Sequence, residues 1–160
     1  MSDADADPWA SHPPLVPDDF VVPGGLVDER FVLEPLAVRH NTSDLAAWSS
    51  SIGHIRATPG FPMGGWPDHA LTPEENEADL ARHARHFDQR VGFTYTVLDP
   101  ASGEVVGCVY LYPTRTGPHD VTARSWVRAD RAALDEALHR VVARWLADDW
   151  PFTSPDYVGR

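Results

Sequence analysis

The stretch Phe93–Tyr112, FTYTVLDPASGEVVGCVYLY, decides how the rest of the chain is read. Phe93, Tyr95 and Val97 alternate with Thr94, Thr96 and Leu98, the period-two pattern of a strand. Asp99-Pro100-Ala101-Ser102-Gly103 is a turn by composition, and Glu104–Tyr112 returns as an almost wholly apolar strand, so the two form a hairpin. After a turn from Pro113 to Pro118, His119–Arg128 alternates again. Val121, Ala123, Ser125 and Val127 share one face, and Thr122, Arg124, Trp126 and Arg128 the other. Strands in series joined by short turns are antiparallel.

Upstream, Thr72-Pro73-Glu74-Glu75 reads as a capping box with Pro at the first helical position, and Ala78, Leu80, Ala81, Ala84 and Phe87 supply the buried face of the helix it opens. Thr58–Asp68, TPGFPMGGWPD, separates that helix from an earlier one. The earlier helix has its N-cap among Asn41-Thr42-Ser43-Asp44 and one apolar stripe of Leu45, Trp48, Ile52 and Ile55. Phe31–Leu36 is a strand ending near a Pro. Downstream, Asp130 caps a long helix carrying Leu134, Ala137, Leu138, Val141, Val142, Trp145 and Leu146, which ends before Trp150-Pro151. The last ten residues hold one strand, which a helical link places in parallel. The expected class is α+β, a mainly antiparallel sheet with helices on both faces. Residues 1–25 form an acidic, Pro-rich, extended arm, and 26–160 one folded domain. Phe20, Val21, Val22, Leu26 and Val27 are suited to pack on a neighbour, a second subunit included.

Composition removes several functions. The net charge of −11 repels phosphate backbones, so nucleic acids and anionic membranes are poor partners. All thirteen basic residues are Arg, which removes Schiff-base chemistry and a P-loop Lys. Cys108 is the only cysteine and sits in an apolar strand, where a buried small residue is expected rather than a nucleophile. No run of apolar residues is long enough to span a membrane and the start of the chain is acidic, so a cytoplasmic protein is expected. His83 and His86, with His69 ahead, stand beside Arg82 and Arg85 and read as a solvated helix face, not a metal site.

The element order, with Leu26–Leu36 (LVDERFVLEPL), Asp44-Leu45 and the run Val106-Gly107-Cys108-Val109, resembles the GNAT superfamily of N-acetyltransferases over about residues 26–150, C-terminally shortened. Trp48–Phe61 is similar to a small actinobacterial subgroup. The resemblance implies transfer of an acetyl group from acetyl-CoA to a primary amine on a small molecule or peptide, without a metal, and a homodimer among the implied partners. It places Trp126, Val127 and Arg128 at the pantetheine arm and Arg131 near the pyrophosphate, in a splay between the fourth and fifth strands of the superfamily sheet. Phe61, Met63 and Trp66 fall in the acceptor site. His119 and Asp120 are the candidate base, and Tyr112 the candidate acid. One departure bears on the cofactor. The superfamily's Arg/Gln-x-x-Gly-x-Gly/Ala loop reads Arg131-Ala132-Ala133-Leu134-Asp135-Glu136, with side chains at the glycine positions and carboxylates where phosphates should lie. Arg124, Arg128 and Arg131 are the residues that could offset this as a clamp. The alternative reading is a non-catalytic descendant used for dimerisation or small-ligand binding.

Overall fold

Six strands form one sheet in chain order in the computed structural model, which describes residues 7–61, 65–115 and 117–160. β1 (Leu26–Val27), β2 (Val32–Pro35), β3 (Phe93–Leu98), β4 (Val105–Tyr112) and β5 (Val121–Val127) each run antiparallel to the next. β6 (Pro155–Tyr157) pairs with β5 in parallel, as a strand reached through a helix should. The α+β class and the hairpin of β3 and β4 are as the alternation predicts.

The helices depart from expectation at their ends. The single stripe of Leu45, Trp48, Ile52 and Ile55 is carried by two helices, α1 (Asn41–Ser49) and α2 (Ile52–Arg56). Ser51 breaks them with φ −130° and ψ 18°, and its Oγ accepts from the backbone N–H of Ala129 at 2.9 Å. The side chains expected to cap α1 are used elsewhere. Asn41 donates to the Pro73 carbonyl, Ser43 accepts from the Val105 N–H, and Asp44 accepts from Asn76, while the N-cap position falls to His40.

Asp130 likewise caps nothing. Ala129–Leu134 is a 3-10 turn broken at Arg131 (φ −123°, ψ 25°), Asp130 pairs with Arg128, and α4 proper runs Asp135–Asp149. It stops before Trp150, as predicted.

α3 (Pro73–Asp88) opens with the expected box: Thr72 Oγ1 accepts from Glu75 N–H at 3.1 Å, and Thr72 N–H donates to Glu75 Oε1 at 3.0 Å. Of the face expected inward, Leu80 is buried and Phe87 packs on the α4-side core, while Ala81 and Ala84 are half-buried. Ala78 is exposed, and Asn76, Leu80 and His86 are buried, so the solvated face expected for His83 and His86 is corrected. Polar groups survive burial when they are bonded, and these are. Trp48 Nε1 donates to Asn76 Oδ1 at 3.1 Å, and Asn76 Nδ2 donates to Asp44 Oδ2 at 3.1 Å.

The sheet separates two cores. One joins β3–β5 to Leu138, Val142, Trp145 and Leu146 of α4; the other joins Cys108 and Trp126 to Trp48, Ile55 and Leu80 of α1, α2 and α3. Cys108 is buried, as its strand position implies. The described part of the arm packs on its own chain. Val16 is buried, Leu15, Phe20 and Val22 lie against the α4-side core, and Arg90 holds the carbonyls of Pro17 and Phe20. Val21 and Val27 stay exposed. No described helix is long and apolar enough to cross a membrane.

Candidate functional site

On the α1–α3 side of the β4–β5 ladder lies a cleft of about 360 Å³. Strand alternation puts Tyr110 and Tyr112 of β4 on the same face as Arg124 of β5, which pairs across from Tyr110. α3 lays Asp79, Arg82, His83 and His86 along one wall, since positions three and four apart share a helix face. Phe61, Gly65 and Trp66 close it from the α2–α3 connection, and Trp9 of the arm from the far side.

The centre of the cleft is a shared hydroxyl. Tyr112 Oη lies 2.8 Å from Nδ1 of both His83 and His86, and Thr94 Oγ1 lies 3.1 Å from the same His83 nitrogen. His86 Nε2 meets Asp7 Oδ2 at 2.6 Å. Burial works to raise the Asp7 pKa, but hydrogen bonds from His86 and the Trp9 N–H outweigh it and hold the carboxyl below its ordinary value. A carboxylate only accepts, so His86 Nε2 carries a proton. Tyr112 Oη thus bridges the two rings through their Nδ1 atoms, and His83 Nε2 lies 3.7 Å from Asp79 Oδ2, too far for a hydrogen bond. Burial pushes the His83 pKa down to about 4; Asp79 opposes this, while Arg82, His86 and Arg124 add to it, so the ring is uncharged at neutral pH. Burial also pushes the Tyr112 phenol well up, keeping it protonated.

Two glycines make room. A Cβ on Gly92 would stand 2.6 Å from Cζ of Tyr112, so the ring fits only against a bare backbone. Gly60 has φ +95°, and its absent side chain lets the Arg124 stem lie alongside.

The expected site residues divide three ways. Tyr112, Phe61 and Trp66 meet in the cleft, while Met63 lies outside the described residues. His119 and Asp120 instead hold the approach to β6: Asp120 accepts from the N–H groups of Thr153 and Ser154 at 2.7 and 3.1 Å, and His119 Nδ1 lies 3.2 Å from the Ser154 carbonyl. Of the cofactor set, Trp126 lies beneath the cleft and donates to Tyr110 Oη at 3.0 Å, and Val127 faces the α4 core. Arg128 pairs with Asp130 and Arg131 with Asp99, near the β3–β4 turn. These four side chains do not converge. His83, His86, Arg124 and Trp9 complete the cleft, and only Arg124 had been given a binding role from sequence. A histidine pair at three-residue spacing was the available signal, and its flanking arginines masked it.

Acetyl-CoA would bring a pyrophosphate to the N-terminus of α4, and the residues there do not fit one. Asp135 and Glu136 occupy the first turn, and both Asp135 oxygens accept from Arg160 at 2.5 and 2.8 Å. Ser125 Oγ and Tyr157 Oη, 2.5 Å apart, bridge β5 to β6 where those strands would have to part for the pantetheine arm.

No family model matches the chain, and no curated protein does. Solved structures match its fold. The ribosomal-protein-S5-alanine acetyltransferase of Vibrio fischeri aligns with a TM-score of 0.61 at 12% identity, over 76% of this chain and 66% of its own. The microcin C7 self-immunity acetyltransferase MccE, in complex with acetyl-CoA and AMP, gives 0.57 at 9%, over 81% and 71%. RimL, a ribosomal L7/L12 α-N-protein acetyltransferase in complex with coenzyme A, gives 0.56 at 10%, over 78% and 69%. The chain thus spans about two thirds of the length of the Vibrio fischeri enzyme. What the likeness defines is the fold of the GNAT acetyltransferases.

Proposed function

We propose that this chain is a small-molecule-binding protein built on an acetyltransferase-type fold, with the cleft over β4 and β5 as its binding site. One observation carries the reading: Tyr112, His83 and His86 share a hydrogen-bonded centre inside an aromatic-walled cavity of ligand size. The α4 N-terminus points away from catalysis with acetyl-CoA, because its own residues fill the anion site. In this reading His119 and Asp120 are structural.

The test has two arms. Calorimetric titration of the full chain with acetyl-CoA to millimolar concentration should give no heat, and screening small aromatic compounds by amide NMR should shift the resonances of His83, His86 and Tyr112. Saturable heat with acetyl-CoA, or hits that leave those resonances unmoved, would overturn the proposal.

A second reading keeps the enzyme, with acetyl transfer to an amine held in the same cleft. Its support is the fold shared with MccE, whose structure holds acetyl-CoA. In that reading the paired arginines and the Arg160–Asp135 bond must rearrange to admit the cofactor. Product formation from acetyl-CoA and an amine, lost in Tyr112→Phe, would favour it.

A further inference from the structure

Arg124 stands apart from the other half-buried arginines of this acidic chain. Arg82, Arg128, Arg131 and Arg160 each pair with a carboxylate and Arg90 is held by the carbonyls of Pro17 and Phe20, whereas among the described residues Arg124 has neither a carboxylate nor a short hydrogen bond. Its guanidinium lies over the rings of Phe61 and Tyr110, with the carbon 5.0 and 5.6 Å from their centroids. Its one recorded hydrogen bond is a long one, 3.4 Å, to the Gly60 carbonyl. Stacked on two aromatic faces beside a cavity, the planar fork is held in place while its donors remain available. Nearby, Arg82 Nε also lacks an acceptor among the described residues, although its terminal nitrogen is bonded to Asp79.

The charge count of the lining points the same way. Arg82 is paired with Asp79 and the Asp7 carboxylate is held by His86, so Arg124 is the lining arginine left without a carboxylate among the described residues. A protonated amine beside Arg124 meets a like charge, and a monoanion there is neutralised by it. The walls of Trp66, Phe61 and Trp9 suit a flat, apolar frame beside the arginine.

We infer that the ligand of this cleft is a planar small molecule bearing a carboxylate, which Arg124 receives. The inference rests on the binding role proposed for the cleft and names the chemical class of its occupant. No bond is made or broken; the recognition is by charge-assisted hydrogen bonds and stacking.

The test uses three indoles of nearly equal size on the full chain at pH 7.5: indole-3-acetate, its neutral amide indole-3-acetamide, and the amine tryptamine. Affinities come from calorimetry, and positions from amide NMR. Indole-3-acetate should bind about tenfold to a hundredfold more tightly than the amide, the range expected for a hydrogen bond to a charged group, and tryptamine most weakly. In Arg124→Gln the acetate should fall to the level of the amide, and Arg124→Lys should recover part of the difference. The acid-to-amide comparison on the unaltered protein needs no variant to fold. Equal affinity of acid and amide at the cleft, or a preference for tryptamine, overturns the carboxylate assignment while leaving the cleft a binding site. Absence of any shift at His83 and Tyr112 with all three overturns both.

Discussion

Asp44 is buried to 5% exposure on α1, and its only recorded hydrogen bond is the one accepted from Asn76. Burial raises its pKa to about 6, with the Asn76 hydrogen bond opposing and the charge of Asp79 adding. The unfolded carboxyl titrates near its ordinary value of 3.8, so between about pH 4 and pH 6 the folded protein binds more protons than the unfolded one. Stability therefore falls as pH rises through this window, and the charged carboxylate costs about 3 kcal/mol above it, from roughly two pKa units at about 1.4 kcal/mol each. Asp44→Asn removes the charge and keeps an oxygen for Asn76. Urea unfolding followed by tryptophan fluorescence, on both proteins from pH 4 to pH 8, gives the stability difference directly. That difference should grow in favour of the variant by about 1.4 kcal/mol per pH unit up to pH 6 and then level off. A buried Asn amide without an acceptor would lower the whole curve without changing its shape, because that cost does not titrate. A flat difference curve across pH 4–6, or one of opposite slope, would refute the argument.

Two further substitutions test the frame of the cleft. Thr72→Ala removes the side chain that accepts from Glu75 N–H and should cost about 1 kcal/mol in urea unfolding, with the cleft resonances unchanged. Gly92→Ala forces a methyl against the Tyr112 ring, and should destabilise the fold by about 1–3 kcal/mol and move the ring signals of His83 and His86 together. Independent movement of those two signals would argue against a shared hydroxyl.

What the sequence made legible was local. The period-two runs of β3, β4 and β5 and the box at Thr72 each depend on neighbours within a few residues, and they appear where expected. The face of α3 was read only in part, at Leu80 and Phe87, because periodicity assigns the buried side by apolarity. Here the buried side carries Asn76, His83 and His86, made tolerable by partners 26 or more residues away in Trp48, Tyr112 and Asp7. The break at Arg131 was hidden for a related reason: Arg131-Ala132-Ala133-Leu134 has strong helix propensity, yet the chain must turn from β5 onto α4. Phe61, Trp66 and Tyr112 were found through resemblance, whereas Trp9 had no local signal at all, since its partner Tyr112 lies far along the chain in β4.

Trp9 and Tyr112, whose rings sit 5.4 Å apart at the cleft, are far separated in the order of synthesis. The wall emerges from the ribosome early, and its counterpart only after roughly a hundred further residues, on the order of 5–20 s later at ordinary elongation rates. Throughout that interval the arm has no β4 to lie against. The cleft therefore closes only once β4 and β5 have been made, when a segment synthesised well before them lies back over the Tyr112 ring.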